Sequence, residues 1–272
     1  MISTRTTGKF ALAGLVVGAL LMLPQVSFAA PRASASPAMP PAFMEDENAA
    51  TAAVNARLNK KQFQNVKVST ENGIVTLTGT VDLYEYKADA ARRAQKTKGI
   101  SAVRNMIEVG GPTYSDAQLK EKLLEKLQYD RVGYGNTFNA ISVDVQGSTV
   151  TLGGHARTDV DKDSAMALVS TYPGVKDVIE EIEVDPVSIM DDQIRMQVAR
   201  SVYGYSMLNK YAVDPAKPIR ISVQNGNVEL YGVVDSKADR DVAYLRANSV
   251  PGVFSVKNFL QVANEAPEKP NK

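Results

Sequence analysis

Hydrophobic and polar positions along this chain follow two periods in turn. At Val75-Thr-Leu77 the period is two, which places both apolar side chains on one face of an extended strand. The pattern returns at Val150-Thr-Leu152 and Val228-Glu-Leu230. Each time a glycine follows two residues later, as Gly79, Gly154 and Gly232. Ahead of each strand the rhythm is helical. Leu119, Leu123 and Leu127 form one apolar stripe on a helix that Ser115 or Asp116 can cap. Asp191, Ile194, Val198 and Val202 hold the same offsets in another copy, and Glu47, Ala50, Val54 and Leu58 in a first. The first stripe is the weakest, because alanine buries little.

Between helix and strand lies half of a hairpin. Val66-Lys-Val68 is expected to meet Ile74-Val-Thr-Leu77 across Glu71-Asn72-Gly73. Ile221-Ser-Val223 is expected to meet Val228-Glu-Leu230 across Asn225-Gly226-Asn227. Asn-Gly between alternating strands signals a hairpin, since both residues tolerate positive φ. The middle copy turns through Gln146-Gly147-Ser148-Thr149, a less distinct signal. Gly79 and its counterparts mark a bulge or a close backbone approach, read here as the place where the next helix crosses. That helix carries Lys87, Ala90 and Ala94; then Lys162, Ala165 and Val169; then Arg240, Ala243 and Ala247. A second glycine, Gly99, Gly174 or Gly252, stands 20 residues after the first in every copy. It fits a helix C′ position, with Pro173 and Pro251 closing two of the helices. A last strand alternates at Val103, Asn105, Ile107 and Val109.

Three copies in one register mean one supersecondary unit used three times. The fold class is therefore α+β: three tandem αββαβ modules, each a three-stranded sheet packed against two helices. The strand–helix–strand crossover is right-handed if its strands pair in parallel. Length varies only between first helix and hairpin. Leu58 to Gly79 spans 21 residues, Leu127 to Gly154 spans 27, and Val202 to Gly232 spans 30. Insertions in repeats gather on one face, often the binding face. The two longer loops hold Tyr129, Tyr134 and Phe138, then Tyr203, Tyr205 and Tyr211.

The Asn-Gly hairpin, Val-x-Leu-x-Gly, the basic residue and alanines of the crossover helix, and Gly-Val-x-x-Val with its closing valine strand together resemble the BON family, named for bacterial osmotic-stress and nodulation proteins. The resemblance covers about Glu45 to Val262. It implies an αββαβ module, an envelope location, no cofactor and no catalytic residues. It also implies association with phospholipid, or with keeping other envelope proteins folded. Two departures stand out: the second copy lacks Asn-Gly, and Glu180 replaces the Asn found at Asn105 and Asn258.

Composition adds the surroundings. The chain has 272 residues, and its formal net charge of +1 argues against a nucleic-acid partner. The middle repeat is acidic and the outer two mildly basic. There is no cysteine, which removes disulfides, thiolate nucleophiles and cysteine metal sites together. Arg5 and Lys9 precede an apolar run of 14 residues, Phe10 to Leu23, ended by Pro24 and followed by Ser27-Phe28-Ala29. That is the pattern of a cleavable secretory signal, with cleavage expected after Ala29 and delivery to the periplasm. The run is shorter than the ~20 residues needed to span a bilayer. The expected organisation is a signal peptide at 1–29, a Pro/Ala-rich linker at 30–44, modules at 45–110, 113–185 and 188–263, and a disordered tail at 264–272.

Catalytic chemistry finds little support. His155 is the sole histidine, and Asp159 and Ser164 lack the spacing of a nucleophilic triad partner set. Asp159-x-Asp161-x-Asp163 resembles a calcium loop, but Ser164 and Ser170 stand where its glycine and glutamate belong. It reads instead as the acidic start of a helix. No metal, cofactor or enzyme activity is expected. Arg92, Arg93, Lys96 and Lys98 lie off the apolar stripe of their helix and are the candidate site for anionic lipid headgroups, with Tyr84 and Tyr86 adding interfacial contact. The bland alternative is a solvated face on which Asp89 pairs with Arg93. The leading expectation is a protein binding the anionic phospholipid surface in support of envelope integrity under stress. The alternative is a holdase or scaffold binding other envelope proteins through the loop aromatics. Oligomeric state is left open.

Overall fold

The computed structural model describes residues 41–129, 134–214 and 217–263, with backbone alone at 41–46, 134 and 135. The stretches read from the sequence as a signal peptide, as linker up to residue 40 and as a tail after 263 lie outside the described residues.

The first module runs α1 (Pro41–Arg57), β1 (Val66–Glu71), β2 (Ile74–Val81), α2 (Tyr84–Gln95) and β3 (Ala102–Val109). α1 begins inside the stretch read as linker, at Pro41, a residue suited to a first helical position that needs no amide donor. The second module runs α3 (Asp116–Tyr129), the single turn α4 (Tyr134–Thr137), β4 (Ala140–Gln146), β5 (Thr149–Ala156), α5 (Asp159–Ser170) and β6 (Asp177–Val184). The third runs α6 (Ile189–Tyr203), the single turn α7 (Lys210–Val213), β7 (Arg220–Gln224), β8 (Asn227–Val234), α8 (Lys237–Asn248) and β9 (Ser255–Val262). In each sheet the second strand is central, antiparallel to the first and parallel to the third.

The hairpins close alike. Both central residues take positive φ: Asn72 and Gly73 at 52° and 74°, Gly147 and Ser148 at 57° and 64°, Asn225 and Gly226 at 50° and 74°. That is the signature of a type I′ turn, so Gly-Ser does in the middle copy what Asn-Gly does elsewhere. Each turn is also held by a carboxylate from the first helix. Glu47 Oε1 accepts the Asn72 N–H at 2.6 Å. Asp116 accepts Gly147 and Ser148 at 2.9 and 3.1 Å, and Asp191 accepts Asn225 and Gly226 at 3.0 and 2.8 Å. Glu47 and Asp191 therefore head their helical stripes as acceptors for turn amides, not as apolar positions.

Both glycine positions work differently from the sequence expectation. A Cβ at Gly79 would stand 1.9 Å from the Asn65 carbonyl oxygen, and at Gly154 2.1 Å from that of Ala140. The close approach is by the backbone entering the first strand, not by the crossover helix. Gly99, Gly174 and Gly252 come three residues after the C-cap residues Lys96, Thr171 and Ser249. Each is third in a separate turn, closed from Ile100 to Thr97, Val175 to Tyr172 and Val253 to Val250. Pro173-Gly174 and Pro251-Gly252 fill the two central positions, as a type II turn favours.

The helices cover one face of each sheet. Val75, Leu77 and Val81 of β2 are buried with Ala90 and Ala94 of α2, and Leu152 and Leu230 occupy the same place in the other cores. The cores also reach into one another. Tyr84 of α2 packs against the first and second cores, and its hydroxyl donates to the Val178 carbonyl at 3.4 Å. Lys87 Nζ lies 3.2 Å from Asp177 Oδ2 beside it. Phe138, just after α4, is buried in the core of the third module.

Candidate functional site

The end of α2 gathers the basic residues. Asp89 takes a hydrogen bond from Arg93 Nε at 2.7 Å and stands 3.8 Å from Arg92 Nη2. The two side chains differ in access: 65% exposed for Arg92 and 32% for Arg93. The Arg93 guanidinium also lies over the Phe63 ring, 5.8 Å from its centroid. Its counterpart in the third module, Arg246, does the same over Tyr205 at 5.5 Å and donates to the Ser201 carbonyl at 2.9 Å. Arg93 is thus pinned against its own module by charge and by packing. Lys96 and Lys98 are exposed and form no ion pair among the described residues. Buried Thr97 separates them and anchors the turn. Arg92 and Lys96 are i, i+4 neighbours at the negative end of the helix dipole, where cations are favoured. Arg92, Lys96 and Lys98 are thus exposed at the end of α2 and in the turn after it, whereas Arg93 turns inward.

Tyr84 is not free for an outer surface, since it fills the joint between the first two modules. Its phenol is held above the usual range first by burial and then by the Asp177 carboxylate. Tyr86 is half-buried against the first core.

The loop aromatics divide. Tyr129 is 53% exposed, and Tyr205 is partly exposed beneath Arg246. The Tyr134 side chain lies outside the described residues. Tyr203 is half-buried, donates to the Ile219 carbonyl, and burial pushes its phenol up to about 12. Tyr211 is buried; its hydroxyl donates to Asp239 Oδ2 and accepts the Asp235 N–H, both at 2.7 Å. Phe138 is 2% exposed. Phe138, Tyr203 and Tyr211 are therefore withdrawn from the docking surface suggested by their loop positions. An aromatic ring in a long loop gains more by entering a core than by facing water.

Sequence reading missed the junction of the second and third modules. Asp185, on the connection from β6 to α6, is buried there. Arg195 of α6 meets it at 3.0 Å, Gln224 Nε2 donates to it at 2.8 Å, and Ser222 Oγ is also in reach. Arg195 is buried too, and further contacts Asp192 at 2.6 Å and the Val223 carbonyl at 2.8 Å. His155 faces this group from β5, with Nδ1 3.2 Å from Gln224 Nε2 and 3.6 Å from Asp185 Oδ1. The available signal was spacing: Arg195 falls four residues after Asp191, on the apolar side of α6.

The acidic stretch at Asp159 opens α5, whose Thr158 cap accepts the Asp161 N–H at 3.1 Å. Among the described residues no group of three His, Cys, Asp or Glu side chains could hold a metal ion. None of the described helices is long and apolar enough to cross a membrane.

Comparison with known proteins follows the repeat. The BON domain family model matches residues 46–111, 115–186 and 191–264. Osmotically-inducible protein Y of Escherichia coli (strain K12) is 27% identical over 124 residues, which cover 44% of this chain and 61% of that protein. The match thus spans about three fifths of that relative's length. Two solved structures of CdsD, a structural protein of the type III secretion system of Chlamydia trachomatis, share 14% identity over 78% of this chain. They cover 90% and 96% of those chains at TM-scores of 0.24 and 0.21, an overlap too slight to inform fold or function.

Proposed function

The chain belongs to the BON domain family, and on that footing we propose that it is an exported, non-enzymatic protein of a bacterial envelope that binds anionic phospholipid surfaces and supports the envelope under osmotic stress. Export rests on the charged, apolar and small-residue pattern of residues 5–29. The mature protein then begins at Ala30. Mass spectrometry of envelope-derived protein that found residues 1–23 intact would replace a periplasmic protein with an anchored one. The link to osmotic stress is carried by the name of the Escherichia coli relative and by the family.

One observation carries the lipid reading: Arg92, Lys96 and Lys98 are all exposed at the end of α2 and in the turn after it, with only Arg92 near a carboxylate, that of Asp89. The second module has Ala167, Leu168 and Thr171 at the positions of Arg92, Arg93 and Lys96, so the group is particular to the first module. Each cation near an anionic leaflet is worth ~1 kcal/mol, so three give up to ~3 kcal/mol. That supports weak, reversible, salt-sensitive binding and falls short of stable anchoring. The test is flotation with vesicles rich in anionic phospholipid at low and high salt. The triple variant Arg92→Gln, Lys96→Gln, Lys98→Gln keeps the Arg93–Asp89 pair and should melt like wild type while losing flotation. Adding Arg93→Gln should cost stability and little further binding. Equal flotation of wild type and triple variant, or binding indifferent to salt, would sink the lipid reading. Suppression of client aggregation without lipid, lost on Tyr129→Ser, would favour the protein-binding alternative.

A further inference from the structure

A cleft of about 390 Å³ opens where β5 of the second module meets the third sheet. His155 forms one wall; Gln224, Asn225, Asn227, Glu229 and Lys257 line the rest. α6 and α8 cover the opposite face of that sheet, where Val228 and Leu230 are buried. Alternation along the strands therefore sends Asn227, Glu229 and Tyr231 of β8, with Lys257 and Phe259 of β9, to the uncovered face. Tyr231 and Phe259 are register partners and stack there, centroids 5.1 Å apart and planes 17° apart. The Tyr231 hydroxyl donates to Glu229, and its ring lies 6.5 Å from that of His155. Phe259 remains 48% exposed. The aromatic shelf and the cleft are thus continuous. The same register positions hold Thr78 and Met106 in the first sheet, and Gly153 and Glu181 in the second. The other two sheets have no such shelf.

The charges in the cleft are already matched. Lys257 pairs with Glu229 at 2.9 Å, and Asp185 beneath pairs with Arg195 at 3.0 Å. Glu183, 3.9 Å from His155 Nδ1, is an exposed carboxylate at the rim. With Asp185 at 3.6 Å and Glu229 at 4.0 Å from the imidazole as well, an anion meets an excess of negative charge here. What stays open to a hydrogen bond is His155 Nε2, 4.0 Å from Glu229 Oε2, with the Gln224 side-chain carbonyl and the Asn225 side-chain amide; none of the three has a hydrogen-bond partner among the described residues. We propose that this cleft binds an uncharged polyhydroxyl ligand, the end of a short saccharide. Planar amides and an imidazole match vicinal hydroxyls, which both donate and accept. The exposed Phe259 ring offers the flat apolar surface that the C–H face of a sugar ring packs on. The volume lies at the small end of the ~300–1,000 Å³ typical of ligand sites.

The experiment uses the full mature chain and two neutral probes, maltotriose and N,N′,N″-triacetylchitotriose, against the anionic trimer of galacturonate. Binding is read by calorimetry and by saturation-transfer NMR. Wild type should bind at least one neutral trisaccharide saturably and more tightly than the anionic one. Phe259→Ala, at a half-exposed position, should weaken binding on the order of tenfold while the loss of its stack on Tyr231 lowers the thermal melt only slightly. Ser255 also lines the cleft, so Ser255→Leu, which fills it, should remove binding; if that variant is unstable, Phe259→Ala decides alone. Neither change should alter vesicle flotation, because α2 lies in another module. No saturable binding of either neutral probe, binding unaffected by Phe259→Ala, or preference for the anionic trimer would overturn the proposal.

Discussion

Phe138→Ala tests whether the second and third modules form one cooperative body. Phe138 follows α4 in the second module yet is buried in the core that holds Leu208, Ile219 and Ile221 of the third. Truncating a buried Phe costs ~3–5 kcal/mol when the surroundings cannot collapse. Transfer of the ring alone accounts for ~1.5–3 kcal/mol. Loss of the Arg157 guanidinium 5.9 Å from the ring adds ~0.5–1 kcal/mol. The ring sits at a junction, where parting of the modules admits water and relieves part of the cavity penalty. These considerations set the expected loss near ~3 kcal/mol. Hydrogen exchange shows where the loss falls. Amides of α6 and β7, in a module that carries no substitution, should exchange on the order of a hundredfold faster, since ~1.4 kcal/mol is a factor of ten. Phe63→Ala, buried within the first module, is the control and should leave those amides unchanged. If Phe138→Ala speeds exchange in the second module only, the two cores are independent and the coupling argued here is wrong.

The carboxylates that hold the hairpins give a second expectation. Asp191 is buried and binds two turn amides, so Asp191→Ala should cost ~2–4 kcal/mol through lost charge-assisted bonds and stranded donors. A urea midpoint matching wild type would refute it, and Asp191→Asn should recover part of the loss. A third concerns acid. Burial opposes ionisation of Asp239, but the Tyr211 hydroxyl and the Lys210 ammonium outweigh it and hold its carboxyl below the usual range. A folded pKa below the unfolded value gives stability that is complete above the unfolded Asp value of ~3.9 and is lost as pH falls through the folded one. Melting temperatures measured from pH 7 down to pH 3 should therefore fall more steeply for wild type than for Asp239→Asn, and parallel curves would refute the assignment.

The sequence by itself determined the module and its threefold use. Period-two and helical rhythms, Asn-Gly turns and glycines 20 residues apart are local signals, because strand faces, helix stripes and positive-φ turns depend on near neighbours in the chain. The basic residues of α2 were legible for the same reason, as cations off an apolar stripe. Tertiary structure decided what each of them does. Arg93 turns to Phe63, 30 positions away, and Arg195 to Asp185 and the Val223 carbonyl. The amides of Asn225 and Gly226 find Asp191 across 34 and 35 positions. No periodicity encodes such pairings, since they are set by where the modules' faces meet. The loop aromatics show this most plainly: with no repeating spacing to assign them a face, Tyr129 could remain at the surface while Phe138 entered a neighbouring core. The Tyr231–Phe259 shelf was written in two alternating strands, but only the parallel register of β8 and β9 set the rings against each other.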